Sequence, residues 1–417
     1  MGQSLLTSNS SRPMEKEETE SQMIFKNNMD YEITEERRSE YRRSSIESAK
    51  LKREAMDVSN YDPDPDLHIP RLDPQSLMPK MKSNTMKTLS LFSGGGGLDL
   101  GFENAGFDHL ASYDIIPICG ETLKHNRPNW SVFSGETEGD VKIVNWRKYI
   151  GKVDIIHGGP PCQPFSVAGQ QAGIQDERNM WGPFVDIVNL IRPVAFVAEN
   201  VKGLLGSKFS NFVNENIFLP LSDYHIISFT LNAAGFGVPQ KRERVFFVGF
   251  LDSKCQKRFK IPAYTHSFNH LLESEREQIS FPQGSLFEDE KQKCMGVREA
   301  LGLPDIGIDI LAPTIRSAFT GKRNTTSILN STASAKSLAS IKVWGSGVAP
   351  ERISAFNYPT KNGHFRLSVQ DCSILQGFPE SWVFCGATYK VLGQIGNSVA
   401  PPVAYNIARS LDEALDI

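Results

Sequence analysis

No stretch of the chain approaches the ~18 consecutive apolar residues that a membrane-crossing helix requires. The first residues lack the basic-then-apolar order of a signal peptide. Leu6 breaks the myristoylation pattern that Gly2 would open. None of the six cysteines (Cys119, Cys162, Cys255, Cys294, Cys372 and Cys385) stands in a Cys-x-x-Cys pair, and no histidine cluster joins them. That argues against a zinc site or any other metal centre, and the scatter suits a reducing cytosol better than a disulfide framework. A large excess of charge is missing too. The formal net charge is −3 over 417 residues, so any nucleic-acid surface must be local. Hydrophobic residues make up 40%, enough for a sizeable core in one large domain with additions, or in two.

Charge and proline divide the chain. Residues 1–85 hold 13 Lys/Arg and 16 Asp/Glu with few large apolar side chains. A charged helix is expected from Ile33 to about Met56, then proline-broken extended chain from Asp62 to Pro79. Residues 1–85 therefore read as an extension and linker. From Lys87 onward short apolar runs alternate with helix-like stretches. The runs are Thr88 to Phe92, Asp154 to Ile156, Val194 to Val197 and Val245 to Val248; the helical stretches include Leu98 to Ala105, 179–191 and 208–218. This alternation predicts an α/β fold with a doubly wound, mostly parallel sheet over residues 86–250. Residues 251–365 are mixed and loop-rich, without clear alternation. After Arg366 order returns, and the chain ends in an amphipathic helix from about Val403. Between Ile310 and Pro350 there is no acidic residue, against Arg316, Lys322, Arg323, Lys336 and Lys342. Cations there suit phosphates, and the Ser/Thr/Asn side chains crowding 324–340 suit sugars and base edges.

Four segments have the residue types of a reactive site. In Leu91-Phe92-Ser93-Gly94-Gly95-Gly96-Gly97-Leu98 a strand runs into a glycine turn, which lets a cofactor approach the backbone at a helix N-terminus. Asp114 follows at a second strand end, placed for ribose hydroxyls, and Asp140 follows a third. In Gly158-Gly159-Pro160-Pro161-Cys162-Gln163-Pro164 a cysteine held between prolines follows a strand, a better nucleophile position than an ordinary buried thiol has. Glu199, in Ala198-Glu199-Asn200-Val201, would lie beside it, and apolar surroundings would let it hold a proton. Gln240, Arg242 and Arg244 fall on one face of a strand, with both arginines aimed at one pocket. Each segment alone also has a structural reading: a glycine turn, a surface carboxylate, a helix-terminal acid.

In this order the segments resemble the DNA (cytosine-5) methyltransferase family of the bacterial restriction-modification type. Phe92-Ser-Gly-Gly-Gly-Gly is similar to its first motif, Pro161-Cys162-Gln163 to its catalytic loop, and Glu199-Asn200-Val201 to its ENV motif. Gln240-Lys-Arg242-Glu-Arg244 is similar to its QxRxR strand. Arg366-Leu367-Ser368 through Gln376-Gly377-Phe378-Pro379 is similar to the ninth motif, and Gly393-Gln394-Ile395-Gly396-Asn397-Ser398-Val399 to the tenth. The likeness covers about 87–250 and 366–410.

The resemblance implies a Rossmann-like fold that binds S-adenosylmethionine and releases S-adenosylhomocysteine. Phe92, Gly94, Gly96, Asp114, Ile115, Asp140, Val141, Pro161, Asn397 and Ser398 would hold the cofactor. Cys162 would attack C6 of a flipped cytosine, Glu199 would bond N3 and the amine, Arg244 would reach O2, and Arg242 would support the catalytic loop. Gln163, Ser166, Arg178, Arg316, Lys322, Arg323, Lys336 and Lys342 would contact duplex DNA, with 251–365 as a second, smaller target-recognition domain and 366–417 returning to the catalytic domain. The resemblance also implies a cytoplasmic, nucleoid-associated monomer paired with a restriction endonuclease. The region from Thr314-Ile315-Arg316 to Asn362-Gly363-His364-Phe365 looks like enzymes for CYCGRG sites. The tRNA-methylating branch carries a Cys-Phe-Thr tripeptide that this chain lacks, and a catalytically dead DNA-binding regulator would have lost Cys162 or Glu199.

Overall fold

A computed structural model describes residues 69–161, 179–272, 291–317, 326–357, 360 and 363–415, together with Glu35, Ser39, Arg43 and Ile46. Residues 1–54 form one unit and residues 55–417 another. In the first, Glu35, Ser39, Arg43 and Ile46 are exposed helical positions, and Arg43 Nη2 donates to Ser39 Oγ at 3.1 Å. The rest of the helix expected over 33–56 lies outside the described residues.

The larger unit is built on a seven-stranded sheet. Its strands are β1 (Lys87–Leu91), β2 (Asp108–Asp114), β3 (Val132–Ser134), β4 (Ile155–Gly158), β5 (Ala195–Val201), β6 (His225–Asn232) and β8 (Glu243–Phe250). The two-residue β7 (Gln240–Lys241) lies outside it and pairs with Ala312–Pro313. The order across the sheet is β3-β2-β1-β4-β5-β8-β6. Neighbours pair in parallel except β8, which runs antiparallel to both β5 and β6. This is the doubly wound, mostly parallel sheet that the alternating runs predict.

Period-two burial explains why these runs become strands. Ile155, Ala195, Val197, Phe246 and Val248 face one layer, while Ile156, Phe196, Ala198, Val245 and Phe247 face the other. Helix α1 (Gly97–Asn104) and the long C-terminal helix Pro401–Leu415 cover the first face. Helix α2 (Pro117–Asn126) also packs there through Leu123, and α3 (Trp181–Ile191) covers the second face through Trp181, Phe184 and Val188. Burying a side chain of this size contributes roughly 1.5–3 kcal/mol, so two full layers fix the sheet.

A third apolar cluster forms a smaller lobe. It joins Val297, Leu301, Ile315, Ile328, Leu338 and Val343 to Leu367, Ile374, Leu392 and Ile395. Its elements include α4 (Thr332–Ser340), the parallel pair Val343–Ala349 with Phe365–Ser368, α5 (Val369–Leu375) and α6 (Thr388–Asn397). Two expected boundaries therefore shift. Residues 366–395 do not return whole to the catalytic layers: α5 and α6 pack mainly into the lobe, and α7 (Pro401–Leu415) joins the sheet. Residues 69–85 are not linker either, because Leu72 is 6% and Met78 0% exposed, each seated in the body.

Candidate active site

The carboxyl ends of β1, β2, β4 and β5 meet along one rim. Register sets Leu91 beside Gly158 and Gly158 beside Ala198, so the segments that follow all emerge together. Open parallel sheets bind ligands at this edge.

At the β1 end the chain turns sharply. Phe92 has φ of +55°, a conformation sparsely used outside glycine, and the turn continues through Gly94 at +54° and Gly96 at +84°. A side chain at Gly97 would meet Val399 O at 2.1 Å, so α1 lies flush against the chain entering α7. Trp382 Nε1 donates to Gly95 O at 3.1 Å from the other side. Beside Gly94, in contrast, the nearest atom to an added Cβ is Phe92 O at 4.0 Å, which leaves the backbone open.

Asp114 closes this corner. Its Oδ2 accepts from Gly94 N at 2.7 Å and its Oδ1 from Ile116 N at 2.8 Å. Burial is the main influence on its carboxyl and raises it to about 6 against the pull of those two N–H groups. The third-strand segment is adjacent, since a Cβ on Gly139 would strike Asp114 O at 2.0 Å. Asp140 is half-buried, Val141 is buried and Ile115 is 49% exposed at the rim. Asn397 is exposed at the end of α6, and a Cβ on Gly95 would lie 2.8 Å from Ser398 Oγ. The structure thus gathers Phe92, Gly94, Gly96, Asp114, Ile115, Asp140, Val141, Asn397 and Ser398.

The second corner lies at the ends of β4 and β5. Pro161 is exposed and its carbonyl accepts from Met180 N at 3.3 Å, which brings the chain before Cys162 against the chain after Arg178. Cys162, Gln163, Ser166 and Arg178 lie between these two residues in the chain, outside the described residues. The chain just before them is fixed by Asn200, whose Nδ2 donates to Pro160 O at 3.0 Å. A Cβ on Gly159 would meet Glu199 Oε2 at 2.9 Å, so the Glu199 carboxyl lies against the start of the loop. Glu199 pairs with Arg244, Nε to Oε1, at 3.0 Å. Burial pushes the Glu199 carboxyl up, and the Arg244 and Arg242 guanidinia hold it back. Arg244 sits there because β8 runs antiparallel, which sets Arg244 opposite Val201.

Arg242 and Gln240 behave differently from the expectation of two arginines aimed at one pocket. Arg242 is 2% exposed, and its Nη2 donates to the carbonyls of Gly396 and Ser398 at 2.8 and 2.7 Å. Its Nε and Nη1 have no hydrogen-bond partner among the described residues. Gln240 bonds Leu375 O, Gln376 Oε1 and Ile315 N. The three do not share one strand, since Gln240 is on β7, Arg242 falls between strands and Arg244 is on β8; of their side chains Arg244 is the one ion-paired with Glu199, while the other two brace the C-terminal segment. Asn200 and the Gln240–Gln376 brace were not among the expected site residues. A buried amide straight after Glu199 was the available signal, since such a group needs a partner.

A cleft of about 370 Å³ opens beside Arg244, with Lys202 and Lys241 on the sheet side and Thr314, Asn330 and Ser334 on the lobe side. Lys202 Nζ pairs with Glu243 Oε1 at 2.9 Å at its mouth. Lys336 and Lys342 are exposed on the lobe, on and just after α4. Arg316 is half-buried, its N–H donating to Ile328 O at 3.0 Å, while Lys322 and Arg323 lie outside the described residues.

A sheet of this order with a glycine turn and acidic strand ends defines a Rossmann-like methyltransferase. A family model for C-5 cytosine-specific DNA methylase matches residues 86–413. The chain is 33% identical over 334 residues to the Type II methyltransferase M.NgoMIV of Neisseria gonorrhoeae, covering 79% of this chain and 97% of that one. It is 31% identical over 369 residues to M.NgoPII of the same organism, covering 80% and 97%. A solved structure of a proposed DNA modification methyltransferase from an E. coli prophage superposes with a TM-score of 0.51 at 25% identity, over 79% of this chain and 99% of that one. The chain belongs to the C-5 cytosine-specific DNA methylase family, and its enzymatic class is DNA cytosine-5 methyltransferase.

Proposed function

We propose that this enzyme methylates a cytosine within a specific duplex DNA sequence through a covalent bond from Cys162 to C6 of a base turned out of the helix. The observation that carries this reading is the buried Glu199–Arg244 pair set against Gly159 at the root of the Cys162 loop. Cytosine C5 is a weak nucleophile until a thiolate adds at C6 and shifts electron density to C5. Glu199 holds a proton at N3, which its burial favours, and Arg244 faces O2. After C5 is alkylated, its proton is removed, the sulfur–C6 bond breaks and the ring regains its double bond. The target base must leave the stack to reach this rim.

The residues present fit S-adenosylmethionine. The open backbone at Gly94 and the buried Asp114 carboxyl suit its amino-acid end and ribose, while Asp140, Val141 and Ile115 suit its adenine. Pro161, Phe92 and Asn397 complete the same rim. When bound, the cofactor supplies an electrophilic methyl group.

Sequence choice belongs to the lobe and the rest of 251–365, through Arg316 and Arg323 at base edges and Lys322, Lys336 and Lys342 at phosphates. The Type II names of the relatives support a role in protecting DNA from a partner restriction endonuclease. The test is transfer of labelled methyl from S-adenosylmethionine to duplex DNA, with tRNA as comparator. Wild type should label DNA at C5 of cytosine. The Cys162→Ala enzyme should bind DNA and cofactor yet transfer nothing. Turnover by that variant would sink the covalent route, and labelling of tRNA alone would sink the substrate.

A further inference from the structure

Residues 69–85 lie ahead of the span that the family model matches, which begins at residue 86. They are nonetheless seated in the body at both ends. At the first end, Arg71 and Leu72 both donate through N–H to Ala300 O, at 3.0 and 3.1 Å, and Leu72 is buried in the lobe cluster. A turn follows at Pro74–Leu77, capped by Asp73, whose carboxylate accepts from Gln75 N. Leu77 then touches both the lobe cluster and the sheet cluster, and Met78 is fully buried in the latter. At the second end Met81 N donates to Asn104 O at 2.7 Å, and Asn84 Nδ2 donates to Asp412 Oδ1 of α7 at 2.7 Å. The body leaves room for this chain. A Cβ at Gly302 would lie 1.9 Å from Ile69 O, and one at Gly106 would lie 2.3 Å from Lys82 O.

The segment therefore runs from the lobe to the sheet, whose facing sides make the cleft beside Arg244. We propose that residues 69–85 are a strap that positions the lobe against the catalytic sheet and thereby sets the width and orientation of the DNA cleft. This rests on the reading of that cleft as the DNA site. Leu72 and Met78 are its two anchors and act as positioning residues, since neither belongs to the reacting rim. A lobe held in register meets DNA without first having to be ordered; a released lobe reaches the bound arrangement for only part of the time, which weakens apparent affinity by that fraction.

The experiment uses full-length enzyme with Leu72→Ala, Met78→Ala and the double variant, and compares kcat, the KM for duplex DNA and cofactor affinity. Each single variant should raise the KM for DNA by roughly three- to tenfold, with kcat and cofactor affinity unchanged. The double variant should be little worse than either single one, because a strap released at one end is already released. Leu72→Met should restore the wild-type KM. Equal damage to kcat and cofactor affinity, or fully additive effects of the two anchors, would overturn the proposal, as would an unchanged KM. If an anchor variant does not fold, Asn84→Ala removes the polar link to Asp412 together with the local bond from Met86 N to Asn84 Oδ1, leaves both apolar anchors in place, and must raise the same KM. Should wild type itself fail to methylate DNA, the substrate reading fails and not the strap, whose loss would still be seen as faster proteolysis between lobe and sheet in Leu72→Ala.

Discussion

Asp114 and Glu199 are buried carboxyls at carboxyl ends of parallel strands in the same sheet, and burial pushes both upward. Their partners differ. Asp114 is held by two backbone N–H groups, from Gly94 and Ile116, which are neutral and part of the turn itself. Glu199 is held by the Arg244 guanidinium, a full charge delivered from another strand. A neutral cradle keeps a carboxyl as an acceptor with lone pairs to spare, as ribose hydroxyls require. A charged partner beside an apolar wall makes a site where a proton can be held or surrendered. In the proposed reading, one rim supports two chemistries because two similar groups are partnered differently.

The largest way to break this contrast is Glu199→Gln. Turnover should fall by roughly 10²–10⁴, the usual worth of a positioned proton donor, while calorimetry shows unchanged cofactor affinity. Equal loss of both would mean the corners are not separable. Asp114→Ala should do the reverse, weakening cofactor binding by about 1–3 kcal/mol with DNA affinity unchanged in a gel-shift titration. A subtler separation uses pH. Burial raises the Asp114 carboxyl to about 6, so it is a full acceptor above that value and loses acceptor capacity as pH falls below it. Cofactor affinity should therefore rise as pH is raised through about 6, and Asp114→Asn should flatten that rise; a profile identical in both enzymes would reject the role. The smallest effect lies away from both corners. Lys336→Ala should lower binding to every DNA sequence alike and reduce the salt slope by ~1, read from affinity against salt concentration.

The sheet was legible because short apolar runs alternate with helix-like stretches, and the rim was legible because glycine, proline and acid cluster right after those runs. The two arginines were only half legible. Strand parity predicts Arg242 and Arg244 on one face, whereas Arg242 falls between β7 and β8, and no local pattern says that Gly396 and Ser398 present carbonyls to the first while Glu199 meets the second. The strap was not legible at all. Leu72 and Met78 are isolated apolar residues among prolines and charges, and an extended segment anchored at two points has no periodicity to read. The mixed home of 366–395 was hidden for a related reason: motif order follows the chain, whereas α5 and α6 pack where the lobe has apolar surface to cover.

The reversed direction of β8 has a consequence for how this rim tolerates change. In a wholly parallel sheet only strand endings and the loops beyond them reach the ligand edge. Because β8 enters the sheet at that edge, its first residues are there as well, held by ladders on both flanks from Val201↔Arg244 to Ala195↔Phe250 and from Asn232↔Glu243 to His225↔Phe250. Arg244 is therefore placed by sheet register and not by loop conformation. A one-residue insertion between Asn232 and Arg244 that shifted the strand would carry the guanidinium to the opposite face. Such a slip would break the Glu199–Arg244 pair and would bring a bulky side chain to the place of Gly249, where an added Cβ would lie 2.2 Å from the Phe196 ring.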